Sequence, residues 1–222
     1  MSSSVKDTLL ADSIRLSFGT RNVLNGAWLR SRTGTVTGVL GRNGSGKSCM
    51  FRAIMGELRS QDLYVRVNDS IVTGSMEMGR YIKYLAQKPF LPPKMKLREI
   101  FEFFEADYNA FVADFPQFAQ YPSSRVGELS GGEVRIAEIW LCLCSRSPFC
   151  ILDEPFSYLA PVAVEVVQKL IRREKHNKGI IISDHNYEAL LEVADEVLLL
   201  SDGYVHQVQE HSDLVRYGYL RG

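Results

Sequence analysis

No stretch of this sequence approaches the roughly 20 mostly apolar residues that a membrane-spanning helix requires, and uncharged runs such as Pro155–Val164 reach about half that length. The N-terminus, MSSSVKDTLLAD, has no apolar core of leader length and carries Asp7 early, so no secretory signal is expected. Net charge is also absent. The 26 basic and 26 acidic residues cancel, which removes the electrostatic footprint of a nucleic-acid binder. Cysteine is scarce, and Cys49, Cys142, Cys144 and Cys150 lack zinc-ligand spacing and have apolar neighbours. Buried free thiols are the expectation. Repeats, low-complexity tracts and Gly/Ser/Pro-rich linkers are lacking too. A cytosolic protein is expected from these absences, with residues 1–222 forming one unit and docking onto a membrane protein left open.

The hydrophobic pattern fills in that unit. Ile14, Leu16 and Phe18 alternate with Arg15 and Ser17, the two-residue period of a half-buried strand. Two further strands are expected in VLNGAWLRS and TVTGVLG, then a helix from Gly46 to about Glu57. LYVRVNDSIVTG reads as a hairpin around Asn68-Asp69, and YIKYLAQ as a strand ending at Gln87. After Pro92-Pro93 the texture becomes helical and aromatic from Lys96 to about Gln120, and another helix is expected over Gly132–Ser145. Beyond it FCILD, VAVEVVQKLIRREK, GIIIS, NYEALLEVA and EVLLLS alternate strand with helix. Such alternation argues for an α/β fold with a parallel sheet and crossover helices, whose ligands bind beyond the carboxyl ends of the strands.

GRNGSGKS, Gly41 to Ser48, lies at such an end and fits the phosphate-loop pattern G-x-x-x-x-G-K-[ST]. Its glycines Gly41, Gly44 and Gly46 let the amides of a loop that also holds Arg42, Asn43 and Ser45 converge on phosphate, with the following helix N-terminus behind them. Lys47 supplies a point charge for the terminal phosphates and Ser48 a hydroxyl for Mg2+. A chance match is expected in on the order of one chain of this length in a hundred, and here the motif also follows an apolar strand and opens a helix. The chain is therefore expected to bind a nucleoside triphosphate. In ILDEP, Asp153 would end a buried strand beside that loop and hold Mg2+ through water, with Glu154 next to it as general base.

LSGGE, Leu129 to Glu133, is a second anion site at a helix start, and one nucleotide does not need two. Two chains facing each other, each capping the nucleotide of its partner, resolve this. With that motif the chain resembles the ATP-binding subunits of ABC transporters over nearly its whole length. Gly41–Ser48 is similar to the Walker A loop, Gln87 to the Q-loop glutamine, Leu129–Glu133 to the signature, Phe149–Glu154 to the Walker B strand and its glutamate, and His185 in ISDHN to the switch histidine. The resemblance implies a P-loop NTPase core with a mostly parallel sheet, a small N-terminal antiparallel β-lobe, and an α-helical lobe inserted at about 90–135. It implies ATP and Mg2+ as cofactors, with Ser48, Gln87 and Asp153 at the metal. It also implies catalysis by Glu154, Gln87 and His185, and Ser130, Gly131, Gly132 and Glu133 acting on the nucleotide of the partner. Phe18 stands where the family places a base-stacking aromatic, although the alternation of Ile14 and Leu16 equally allows it a place in the core.

One position departs from the pattern. The loop after Glu154 runs Ser157-Tyr158-Leu159-Ala160, where the family has a small residue for Tyr158 and an aspartate for Ala160. Hydrolysis is expected to survive this, and coupling between the two sites is what the change touches. Of the aromatics Phe101, Phe103, Phe104, Tyr108, Phe111, Phe115 and Phe118, most are expected to fill the helical lobe and a few to line a docking groove. Three functions stay open: an ATPase subunit that docks as a homo- or heterodimer on separate multi-span membrane subunits at the inner face of a membrane, a soluble ATPase of a cytosolic assembly machine, and an ATP-gated dimerisation module with slow hydrolysis. The short β-lobe and single nucleotide domain favour the first. LSGGEVRIAEI and SDHN look most like subunits of small-solute importers and lipid exporters.

Overall fold

The computed structural model describes residues 6–220, so residues 1–5 of the segment read for a leader lie outside the described residues. In chain order the elements are β1 (Thr8–Phe18), β2 (Arg21–Arg32), β3 (Val36–Leu40), α1 (Lys47–Ile54), β4 (Asp62–Val67), β5 (Ser70–Ile71), α2 (Ser75–Tyr81), β6 (Ile82–Leu85), α3 (Leu97–Phe103), α4 (Tyr108–Asp114), α5 (Gly131–Leu143), β7 (Phe149–Asp153), α6 (Pro161–Glu174), β8 (Gly179–Ser183), α7 (Tyr187–Leu191), β9 (Glu196–Ser201), β10 (Tyr204–Val208) and α8 (His211–Arg216). They form two sheets. An antiparallel sheet of order β2-β1-β4-β5 carries the N-terminal strands, and a six-stranded sheet of order β10-β9-β3-β8-β7-β6 forms the centre. The central sheet is parallel except for β10, which pairs antiparallel with β9.

The central strands β3, β7 and β8 are buried at every residue, as expected for a parallel sheet covered on both faces. Phe149 and Ile151 of β7 and Ile181 of β8 pack on the side of α1 and the N-terminal sheet, among Leu9, Ile14, Leu29, Phe51 and Ile54. Cys150 and Leu152, with Ile180 and Ile182, face the opposite layer, formed by α5, α6 and α7 and including Trp140, Leu143, Val167 and Leu190. Alternation along each strand thus welds three layers together. The described cysteines are free, Cys142 and Cys150 fully buried and Cys49 and Cys144 partly so.

The structure trims several expected elements. Helix α1 stops at Ile54 because Gly56 takes a left-handed φ of 72° and turns the chain. Strand β6 ends at Leu85, leaving Gln87 on the loop beyond it, and α5 spans Gly131–Leu143 in place of 132–145. The aromatic segment is two short helices and a 3-10 turn: α3 ends where Glu105 turns left-handed (φ 52°), Asp107 caps α4 by accepting from the Asn109 amide at 2.8 Å, and Pro116 opens the turn over Pro116–Gln120. Helices α2 and α8 and strand β10 were not expected from sequence. The Asn68-Asp69 hairpin is present, with Val67 opposite Ser70.

The phosphate loop, Gln87, the Asp153-Glu154 pair and His185 fall at the carboxyl ends of the central strands, and the signature stands apart at the start of α5. Strand β3 runs into Gly41, β6 into Gln87, β7 ends at Asp153, and β8 ends at Ser183 just before Asp184 and His185.

Candidate active site

The phosphate loop encloses its own lysine. Lys47 is buried, and its Nζ donates to the Gly41 carbonyl at 2.6 Å and to that of Arg42 at 3.4 Å. Burial pushes its ammonium below the ordinary lysine range, against the attraction of Asp153, Glu154 and Asp184. Gly46 caps α1 at φ 109°, where a Cβ would stand 2.8 Å from Val23 Cγ1, so glycine is required there by both backbone and space. A cavity of about 590 Å³ is lined by Phe18, Arg21, Val23, Asn43–Cys49, Gln87, Glu154 and His185. Arg42 points elsewhere. Its guanidinium donates to the Gly218 carbonyl at 2.5 Å, across a neighbouring cavity of about 400 Å³.

Phe18 does not extend the core. Ile14 and Leu16 are buried, but Phe18 is 51% exposed and lines the phosphate-loop cavity. The register of β1 on β2 shifts between Leu16 and Ser17, and Phe18 pairs with Arg21 at the hairpin end, past the covered part of the sheet.

The acids after β7 differ sharply in surroundings. Asp153 is fully buried, and each of its oxygens meets a hydroxyl: Ser183 Oγ donates to Oδ1 at 2.6 Å and the Tyr84 phenol to Oδ2 at 3.3 Å. Burial, reinforced by the Asp153 charge, pushes the Tyr84 phenol far up, which keeps it protonated and a donor. Glu154 has a left-handed φ of 54°, and its amide donates to the Ser183 carbonyl at 2.7 Å. This geometry swings its carboxylate into the cavity. There Glu154 Oε1 accepts from Gln87 Nε2 at 2.8 Å and lies 2.5 Å from His185 Nε2, while Oε2 is 3.5 Å from the Ser157 hydroxyl.

The turn carrying His185 is pinned by Asp184, a residue not singled out in the sequence. Its oxygens accept from the Phe156 amide and from the Asn186 amide, both at 2.8 Å. Burial raises its carboxyl above the ordinary range, against those two amides, and the Glu154 charge pushes the same way. Ser183 and Tyr84 were missed as well; their only sequence signal is a polar residue on otherwise apolar buried strands.

The signature residues lie apart from this cavity. Ser130 caps α5: its Oγ accepts from the Glu133 amide at 3.3 Å and donates to Glu133 Oε2 at 2.8 Å, and that carboxylate also takes the Ser130 amide at 2.8 Å. The reciprocal box leaves Ser130 and Gly131 exposed at the helix start. Gly131 has open space where a Cβ would stand, and none of Ser130, Gly131, Gly132 and Glu133 lines the phosphate-loop cavity of its own chain.

The profile of the ABC transporter family matches residues 24–157, covering the phosphate loop, signature and acid pair. An uncharacterised ABC transporter ATP-binding protein of Rhizobium meliloti is 30% identical over 94% of this chain and 82% of its own length. The chain belongs to the ABC transporter ATP-binding family. A lipopolysaccharide export system ATP-binding protein, LptB of Acidithiobacillus ferridurans, is 29% identical over 90% of this chain and 89% of its own. A solved structure of an ATP-binding subunit of an ABC transporter superposes with a TM-score of 0.83 at 22% identity, over 96% of this chain and 94% of the other, which shows the fold. This ABC subunit binds and hydrolyses ATP to energise transport. Among the described residues no helix is long and apolar enough to cross a membrane.

The aromatic lobe divides cleanly. Phe101, Tyr108, Phe111, Phe115 and Phe118 are buried in one cluster with Trp140, while Phe103 is 75% exposed and stands with Phe90 and Phe104 on a groove of about 710 Å³.

Proposed function

We propose that two copies of the nucleotide-binding face close around two ATP, each chain hydrolysing the nucleotide on its own phosphate loop while the signature of the other caps it. The observation that carries this is the carboxylate of Glu154, held between Gln87 and His185 on the phosphate-loop cavity, with the exposed signature outside that cavity. Glu154 takes a proton from the attacking water as ATP and water become ADP and phosphate, a role that contributes roughly 10²–10⁴-fold. Gln87 donates to Oε1 and His185 Nε2 lies against the same oxygen, which fixes the rotamer and leaves Oε2, with only the Ser157 hydroxyl at 3.5 Å, for water. Lys47 exchanges the Gly41 and Arg42 carbonyls for phosphate oxygens, and Phe18 offers its exposed ring to the base.

The donor set suits Mg2+. Ser48, Gln87 and Asp153 offer a hydroxyl, an amide and one carboxylate, and among the described residues no cluster of three or more His, Cys, Asp or Glu could hold a metal unaided. A hard ion that takes one or two carboxylates and completes its shell with phosphate and water fits that set. When bound, it supplies charge to offset that of the phosphates. Asp153, held by two hydroxyls, would supply the carboxylate charge at that ion.

The groove of Phe90, Phe103 and Phe104 serves as the seat of the membrane subunits, beginning next to the loop that carries Gln87. Seated there, the subunit works on the cytoplasmic face of a membrane. The likeness to LptB makes a lipopolysaccharide-type lipid the first cargo to assay. Purification from detergent-solubilised membranes tests the seat. The parent chain is expected to bring a multi-span protein with it, and Phe103→Ala with Phe104→Ala to lose it while keeping ATP binding; recovery of soluble scaffold proteins alone would overturn the docking.

A further inference from the structure

Helix α5 is apolar and buried from Val134 to Leu143 except for two charged residues, Arg135 and Glu138, which are 4% and 0% exposed. Their ion pair is loose, with Arg135 Nη1 3.6 Å from Glu138 Oε2, and both Arg135 Nε and Glu138 Oε2 are without a hydrogen-bond partner. Burial pushes the Glu138 carboxyl up and the Arg135 guanidinium down, each against the other's attraction. Such a pair is a poor stabilising device, since an apolar pair of similar volume often serves a fold as well or better.

What the pair does hold is main chain. Arg135 Nη2 donates to the carbonyls of Asp153 at 2.5 Å and Glu154 at 3.1 Å, and Nη1 to that of Ala86, the residue before Gln87, at 2.6 Å. Glu138 Oε1 accepts from the amides of Phe90 at 2.6 Å and Leu91 at 3.2 Å, on the far side of Gln87. Five bonds from one face of α5 therefore grip the strand end that carries Glu154 and the chain on both sides of Gln87. Only a forked guanidinium reaches three carbonyls on two segments at once. The same helix begins at the exposed signature.

We infer that Arg135, seated by Glu138, is a positioning residue for hydrolysis: it ties the signature helix to the main chain of Glu154 and the Gln87 loop, so that base and amide meet only when α5 is in place. This rests on Glu154 being the base. Contact at the signature then reaches the hydrolytic site of the same chain through α5, a route that does not use the side chain missing at Ala160.

Two variants test it: the apolar pair Arg135→Met with Glu138→Leu, and the single Arg135→Lys, which keeps the charge opposite Glu138 but loses the fork. Melting temperature, Kd for ATP and kcat are measured for each. The expected result is a folded apolar pair that melts at or above the parent temperature, with both variants binding ATP within about twofold of the parent and turning over at least tenfold more slowly. Parent-like kcat in either folded variant would overturn the inference, as would a loss of ATP affinity equal to the loss in kcat. Glu154→Gln, run alongside, separates the two claims: its turnover at the parent rate would remove the base assignment, whereas its inactivity beside an active apolar pair would remove Arg135 alone.

Discussion

The imidazole Nε2 of His185 lies 2.5 Å from a carboxylate oxygen of Glu154, joining the end of β7 to the turn after β8. The same oxygen accepts from Gln87, so the carboxylate is held from two sides. Glu154→Gln keeps a side chain of the same shape but cannot take a proton, so ATP binding should hold within about twofold and turnover should fall at least about a hundredfold. His185→Ala removes one of two orienting contacts and should cost turnover less than Glu154→Gln. Steady-state phosphate release and equilibrium ATP binding check both.

Phe18 has lost the cover of the core and faces the cavity that holds Lys47 and Ser48. Stacking on an aromatic contributes roughly 0.5–1.5 kcal/mol beyond burial. Phe18→Ala should accordingly weaken ATP binding by about two- to tenfold with kcat little changed, and Phe18→Tyr should restore it. Equal losses for ATP and for inorganic triphosphate would place the effect away from the base.

Ala160 is the N-cap of α6, with φ −69° and ψ 151° and no side-chain cap. An aspartate there can accept from a first-turn amide and faces the positive end of the helix. Ala160→Asp should stabilise the monomer by about 1 kcal/mol, seen as a melting temperature raised by roughly 3 °C. A lower melting temperature would show that the Tyr158 loop, which has a left-handed φ of 68°, is built around alanine.

Asp114 joins the aromatic lobe to α6: Arg173 donates to its two oxygens at 2.7 and 2.9 Å, and Trp140 Nε1 to Oδ2 at 2.8 Å. Burial opposes ionisation of Asp114, but these donors outweigh it and hold the carboxyl below its usual range. A depressed carboxyl contributes stability that is present above its unfolded value of about 4 and lost as pH falls through the folded one. Asp114→Asn should therefore melt lower than the parent at pH 7, and the gap should close below about pH 4. A gap independent of pH would assign the contact to packing.

Much of this was legible in the sequence because the chemistry sits in contiguous motifs: Gly41–Ser48, Gln87, Asp153-Glu154 and His185 all land on one sheet edge. The alternation of strand and helix segments after Phe149 announced the parallel sheet. Contacts between distant segments were not legible. The grip of Arg135 on Ala86 and Glu154 exists only once α5 crosses the ends of β6 and β7, although two charges at i and i+3 in an apolar helix were a visible signal. Strand β10 was signalled by Asp202-Gly203, whose positive φ values of 53° and 83° suit a two-residue hairpin. Helix α2 was hidden because Gly74 and Gly79 flank and interrupt a short segment. Phe18 followed the strand period faithfully but fell beyond the sheet's covered end.

If the exposed signature completes the site of a second chain, the mass of the protein in solution must follow nucleotide. Light scattering of Glu154→Gln, with and without Mg-ATP, should show a mass that doubles only with nucleotide. Adding Gly131→Asp should abolish the doubling. Open space at Gly131 accepts the side chain, and an acid in the first turn of α5 should leave the monomer as stable or about 0.3–1 kcal/mol more so, yet it places negative charge where phosphate must sit. A mass that stays monomeric with ATP bound, or doubles despite Gly131→Asp, would mean that the signature does not cap the nucleotide of a second chain.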